Sequence, residues 1–247
     1  MEPHTSLKGK FIMIEGIDKG GKGTAAAAIR EWLTQNGLKV FDMNSYQKET
    51  HHLPQPDKFD GYDVVASSEP TYCWSGLDLR EEHLRNNNHG STAHETAEGF
   101  SFNRGTLYRR CLMPALDKGL IWVQERGVVT SLMLQPIQAS MNGDSITRDH
   151  LMGLAGNRFA LSHPPHILMI VHCDPQVAVS RTRIEKEDDS FFEKIEYMNK
   201  IAKNYRDPWL KEHFSRLGSK VVEMDTTNLV PQETRDQAVE LVKRAVS

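Results

Sequence analysis

Cysteine is scarce in this chain: Cys73, Cys111 and Cys173 are the only three in 247 residues, far apart and without a Cys-x-x-Cys pair. That count argues against a disulfide framework and a cysteine zinc site, and it fits a reducing compartment, with a cytoplasmic location expected. Long apolar runs are missing too. Nothing approaches the roughly 20 residues of a membrane-spanning helix, and the polar first ten residues lack the apolar core of a signal peptide. No sign of charge dominates, since 30 Lys+Arg stand against 33 Asp+Glu for a net charge of -3. Such a balance excludes a general affinity for nucleic acid or anionic membrane and leaves room for a local basic cleft. The eleven histidines scatter without the i, i+4 pairing of a metalloprotease helix. His51 and His52 fall in a polar stretch, where solvated side chains are expected. Internal repeats and low-complexity segments are absent. What remains is a globular composition, 38% hydrophobic and 26% charged, of a length ordinary for one α/β enzyme domain.

Short apolar runs set the organisation. Residues 11–14 read as a buried parallel strand ending in a Gly-rich turn. Residues 24–35 read as a helix, with Ala25 to Ala28 followed by Ile29, Trp32 and Leu33 on one face, and Asn36 with Gly37 stops it. Residues 38–41 return to strand. This strand–loop–helix–strand unit favours a parallel α/β sheet. Further strands are expected at 63–66, 120–124, 167–171 and 221–224, with a last helix at the C-terminal end. Residues 77–84 have a helical pattern broken at 86–90. Residues 92–118 carry a long one, with Pro114 as a kink or a break. The polar stretch 42–61, with Pro54 and Pro56, reads as an exposed insertion of uncertain order.

The chemistry concentrates first at Gly16-Ile17-Asp18-Lys19-Gly20-Gly21-Lys22-Gly23-Thr24, which has the Gly-x-x-x-x-Gly-Lys spacing of a phosphate-binding loop. Glycines let backbone N–H groups turn in around an anion, and the following helix points its positive end at it. Gly16, Asp18, Gly20, Gly21, Lys22, Gly23 and Thr24 are therefore expected around a bound nucleoside triphosphate. Lys22 would reach the β- and γ-phosphates, and a hydroxyl would help hold Mg²⁺. The residue after Lys22 is usually Ser or Thr and here is Gly23, which moves the metal hydroxyl to Thr24.

The Gly-Lys-Gly-Thr ending resembles the adenylate kinases. Most of the chain resembles the thymidylate kinases more closely. Residues 10–18 look like that family's opening. Ser68-Glu69-Pro70 with Gly76 and Arg80 resembles its Arg-Glu-Pro segment. Phe100 to Arg104 resembles its Phe-x-x-(Asp/Asn)-Arg helix. Pro114 to Gly119, then Glu125-Arg126 and Ser131-Leu132, resembles the stretch ending in its Asp-Arg motif. Pro165 to Pro175 and Arg181 resembles its next strand and the start of its lid. The resemblance implies a three-layer α/β/α P-loop kinase fold with a parallel sheet of about five strands. It also implies a homodimer, ATP with Mg²⁺ as cofactors, and transfer of the γ-phosphoryl group of ATP to a deoxynucleoside monophosphate, thymidylate by expectation.

The same resemblance implies roles. Phe100 would stack on the acceptor base. Arg104 would meet that base or the acceptor phosphate, and Glu69 with Pro70 would line the site. Asp18 would sit near the acceptor's sugar and phosphate, and Arg126 would bind its phosphate. Glu125 stands where the family has Asp and would organise Mg²⁺ with Thr24. Lys19 matches a basic catalytic residue inside the loop. Arg181 and Arg183, with Lys186, would form a mobile cationic lid over residues 181–192 that excludes water. Two departures bear on the acceptor. Ser68 replaces an arginine, removing a charge-assisted contact of roughly 1.5–3 kcal/mol, and Gly127 replaces an aromatic. Lys48 and Lys58 in the 42–61 stretch are candidate substitutes. A kinase for another monophosphate or for a nucleoside, and a nucleotide-binding protein that has lost transfer, stand as alternative readings.

Overall fold

The computed structural model describes residues 3–83, 91–181 and 189–246, with the side chains of 189–194 left aside. A six-stranded sheet runs through the centre. Its strands are β1 (Phe11–Gly16), β2 (Val40–Asp42), β3 (Val64–Ser68), β4 (Ile121–Glu125), β5 (Ile167–His172) and β6 (Lys220–Asp225). They pair in parallel throughout, in the order β2-β3-β4-β1-β5-β6. The expected count of about five is thus corrected to six. β6 is an edge strand with only Met224 buried, so its apolar signal is thin, but it pairs with β5 along its whole length.

Side chains alternate across β1 as strand geometry requires. Phe11 and Met13 enter one apolar cluster, Ile12 and Ile14 another. The second cluster is closed by α1 (Lys22–Gln35) and α12 (Pro231–Val246), which pack on each other. The first is closed by the long helix α4 (Ala93–Leu107), by α6 (Val128–Met141), and by α10 (Asp189–Tyr205) and α11 (Pro208–Arg216). Three layers result, α/β/α, with the sheet in the middle.

Two regions depart from expectation. Residues 42–61 are ordered, not an open loop. Asp42 caps α2 (Met43–Thr50) by accepting from the Ser45 N–H, and Met43, Gln47, Leu53 and Phe59 are buried. Phe59 stands edge-on to Trp122 and Phe41, so a few apolar anchors fix a stretch whose composition is mostly polar. The helical pattern at 92–118 does not break at Pro114. A capping box at Thr92 and Glu95 starts α4, a wider π turn follows at Tyr108–Leu112, and Pro114 lies in α5 (Met113–Asp117) just beyond it, where the chain has already left the regular i to i−4 pattern that proline interrupts. α3 (Ser75–Asp78) also runs into a π turn, Leu79–His83. Between β4 and β5 lie α6, α7 (Arg148–Gly153) and α8 (Ala155–Leu161), and α9 (Pro175–Ser180) follows β5. Among the described residues no helix is long and apolar enough to cross a membrane.

Candidate active site

The loop between β1 and α1 leaves the carboxyl end of the central strand, where open α/β sheets bind ligands. Its backbone takes three left-handed steps or near-steps, at Gly16 (φ +144°), Lys19 (φ +56°) and Gly21 (φ +102°). At Gly16 a Cβ would lie 2.2 Å from the Val171 carbonyl oxygen, so a side chain there is excluded. Thr226 pins the loop from the far side, donating to the Gly20 carbonyl at 2.6 Å. Lys22 is buried and its Nζ donates to the Ile17 carbonyl at 2.6 Å. Burial, with Arg126 nearby, lowers its pKa to about 8. Asp18 Oδ1, 3.9 Å from Nζ, with Glu15 and Glu125, offsets only part of that, and a phosphate would add to it.

Two cavities open on this loop and share Asp18, Glu125 and Arg126. The first, about 540 Å³, is walled by Lys19, Gly21, Lys22, Gly23, Thr24, Arg181 and, from the far end of the chain, Leu229, Pro231 and Thr234. Glu125 reaches the first turn of α1: a Cβ on Gly23 would stand 3.6 Å from its Oε2. A carboxylate and a hydroxyl facing one polar cavity suit a hard cation that keeps its waters and takes phosphate oxygens. Among the described residues no cluster of three His, Cys, Asp or Glu could hold a metal unaided. Arg181 is not a loose lid residue. Its guanidinium donates to the Lys19 carbonyl at 3.2 Å, to Cys173 Sγ at 3.5 Å and to the Thr226 carbonyl at 2.9 Å, and three acceptors in different directions hold it as a fixed wall. Arg183 and Lys186 lie outside the described residues.

The second cavity, about 360 Å³, is lined by Phe100 and Pro70, and by residues the sequence reading did not single out, notably Tyr72, Gln135, Gln138 and Tyr197. Arg104 forms its floor and faces the protein. It donates to Glu69 Oε2 at 2.8 Å, to Asn157 Oδ1, and to the Gly127 carbonyl and Ser131 Oγ, each at 3.1 Å. Four of the five guanidinium N–H groups are thereby engaged with the protein, and the side chain still lines the cavity. Glu69 is its buried counter-ion, with Gln124 donating to its other oxygen at 3.0 Å. Burial raises the Glu69 pKa while Arg104 opposes the rise.

Where the arginine expected at position 68 is missing, Ser68 donates to Asn44 Oδ1 on α2 at 3.1 Å. Arg80 lines this cavity together with Arg104 and Arg126. It lies 3.8 Å over the Tyr72 ring and donates to the Thr71 carbonyl at 3.1 Å and to the Pro70 carbonyl. Lys48 sits over the same ring at 4.3 Å without lining the cavity, and Lys58 is exposed away from it. Gly127 has its own explanation: a Cβ there would stand 2.4 Å from Met13 Cε.

Arg126 stands where the cavities meet. Its backbone is left-handed (φ +64°), held by its N–H to the Ile14 carbonyl at 3.0 Å and by Gln124 Nε2 to its own carbonyl at 2.8 Å. For a non-glycine residue that conformation costs on the order of 1–3 kcal/mol and persists only where the surroundings impose it. Its guanidinium pairs with Asp18. Burial works against the charge, yet Asp18, Tyr205, Glu15 and Glu125 raise the pKa. Gln135, on the α6 face that also carries Ser131 and Gln138 at helical spacing, is buried with neither amide atom hydrogen-bonded among the described residues. Polar residues at i, i+4 and i+7 in a mostly apolar helix are the signal in the sequence.

No protein-family model matches the chain. Among curated proteins, it is 25% identical over 202 residues to a probable thymidylate kinase of Pyrococcus abyssi, covering 81% of this chain and 82% of that one. It is 26% identical over 211 residues to the thymidylate kinase of Synechococcus sp. (strain CC9605), covering 85% and 88%. The crystal structure of thymidylate kinase from Ehrlichia chaffeensis shares the fold with a TM-score of 0.60 at 15% identity, over 95% of this chain and 98% of that one. With similarity over four fifths of its length, a shared fold and the motifs in the same order, the chain is a homologue of the thymidylate kinases.

Proposed function

We propose that the chain is an ATP-dependent nucleoside-monophosphate kinase acting on thymidine monophosphate. The observation that carries this is the meeting of two cavities at Asp18, Glu125 and Arg126, one built on a phosphate loop and the other aromatic-lined. Its named relatives are thymidylate kinases.

In this reading the triphosphate lies along the loop, with backbone N–H groups and Lys22 on its β- and γ-phosphates. Its base lies between the Arg181 guanidinium and the Leu229–Pro231 wall. Phe100 stacks on the acceptor base, Gln135 meets its polar edge, and Arg126 with Arg80 draws the acceptor phosphate toward Lys22. An acceptor phosphate oxygen bonds to the γ-phosphorus as the bond to the β,γ-bridging oxygen breaks, giving ADP and a nucleoside diphosphate. Lys19, Lys22 and Arg126 neutralise the charge that spreads over the transferred group. Thr24 and Glu125 would hold Mg²⁺, which supplies further charge neutralisation on the phosphates.

The homodimer implied by the family would use the outer face of α4 and α8. Phe102 there is 68% exposed beside a groove lined by Leu154, Ala155 and Gly156, a knob next to a hole that a two-fold axis would pair. Gel filtration of the protein and of Phe102→Asp tests this, a dimer becoming a monomer. The activity is tested by coupled detection of ADP across a panel of monophosphates and nucleosides. Turnover greatest with thymidine monophosphate is expected. Turnover only with a different acceptor, or with none, rejects the reading.

A further inference from the structure

Glu15 is fully buried at the end of β1, one residue before the loop. A buried carboxylate must be hydrogen-bonded to be tolerated. Here Oε2 accepts from the Thr130 hydroxyl at 2.7 Å and from the Tyr205 hydroxyl at 2.9 Å, and Oε1 accepts from the Thr130 N–H at 3.2 Å. The Thr130 hydroxyl has one proton, and it is committed to Glu15. Its lone pair then faces Arg126, whose Nη1 lies 3.4 Å away. The direction of every bond is thus set by the carboxylate: Arg126 N–H to Thr130, Thr130 O–H to Glu15, Tyr205 O–H to Glu15. Thr130 lines the acceptor cavity, and Tyr205 is the last residue of α10.

We infer that Glu15 is a positioning residue that aims the Arg126 guanidinium at the acceptor phosphate through the Thr130 hydroxyl, with Tyr205 fixing the carboxylate. This rests on the kinase reading of the site. Neither Glu15 nor Tyr205 lines either cavity, so their effect passes through Thr130. Asp18 holds the other side of the guanidinium, and Thr130 supplies the second anchor that fixes its plane. If the carboxylate becomes an amide, one N–H faces the Thr130 or Tyr205 hydroxyl. The Thr130 hydroxyl is then free to turn its proton toward Arg126, where donor meets donor.

The test is steady-state kinetics of the full chain with ATP and thymidine monophosphate, alongside thermal unfolding. Thr130→Val is expected to raise KM for the monophosphate about tenfold, with KM for ATP within about twofold, and Thr130→Ser to restore it. Glu15→Gln is expected to act in the same direction, and Glu15→Gln with Thr130→Val to be no worse than Thr130→Val alone, because both break one chain of bonds. Should Glu15→Gln not fold, Thr130→Ala replaces it beside Thr130→Val. Monophosphate KM unchanged in folded Thr130→Val, or additive losses in the double variant, would overturn the relay while leaving the kinase reading intact. No turnover by the unaltered chain with any monophosphate would overturn both.

Discussion

Arg104 and Glu69 form a buried pair, each about 1–3% exposed at its side chain. Removing one partner leaves the other charged and alone, which costs roughly 3–5 kcal/mol. Glu69→Ala is therefore expected to lower the urea midpoint severely, and a loss under about 1 kcal/mol would show the pair to be dispensable. Gln135 predicts the opposite pattern. A buried amide without partners costs the empty protein about 1–3 kcal/mol, so Gln135→Leu should leave the unfolding temperature unchanged or raised while raising monophosphate KM about tenfold. A variant that loses stability and keeps its KM would show that the amide serves packing only. These two residues also mark the limit of what could be read from the chain alone. Lys22 could be picked out because the loop that positions it is local in sequence, the Ile17 carbonyl being five residues away. Arg104 was visible but its direction was not, because Glu69, Asn157 and Ser131 reach it from three other segments.

α4 and α8 pack closely. A Cβ on Gly156 would lie 1.7 Å from the Ser101 carbonyl oxygen, and Ser101 Oγ accepts the Gly156 N–H at 2.9 Å. Gly156→Ala must push the helices apart beside the groove next to Phe102, at about 1–3 kcal/mol. Chemical denaturation checks this, and an unchanged midpoint would contradict it. α11 depends on Asp207, whose side chain accepts the Trp209 N–H and pairs with Arg148 at 2.9 Å. The Arg148 hydrogen bond, then the Trp209 N–H, lowers its pKa. A depressed carboxylate contributes stability above its unfolded pKa, near 4, and loses it as pH falls through the folded value. Asp207→Ala should therefore cost about 1 kcal/mol at pH 7, with the gap from the unaltered chain closing below about pH 4. A gap that is constant with pH would sink the assignment. Only some of these helices were readable: α1, α3, α4, α5 and α12 fall on stretches with a helical pattern, whereas α2 and α6 to α11 were not read as helices. The two π turns were not, since an extra residue in a turn leaves no mark in a 3.6-residue pattern.

The sheet as a body was the most legible part. All six strands coincide with short apolar runs, the edge strand β6 only thinly, and the inner ones do so because a strand covered on both faces must be apolar at nearly every position. Their order was not legible, since β1 between β4 and β5 depends on crossovers that no local pattern records. The donor cavity shows the same dependence. Thr226 and Gly20, which hold the loop in place, are 206 residues apart in the chain, and Leu229, Pro231 and Thr234 close the same cavity. ATP at one hundred times its Kd should stabilise the chain by about 2.7 kcal/mol, read as a thermal shift that Lys22→Ala abolishes. An equal shift in that variant would place the nucleotide elsewhere.

That distance has a temporal meaning. At 5–20 residues per second, Thr226 leaves the ribosome about 10–40 seconds after Gly20. Throughout that interval the glycine loop exists without its brace or its far wall. A nascent chain can show the phosphate motif long before it can seat a nucleotide, so ATP cannot act as an early template for folding. It can reward only a chain whose last strand has already docked beside β5, and nucleotide affinity thereby reports that synthesis and folding of the sheet have both run to that edge.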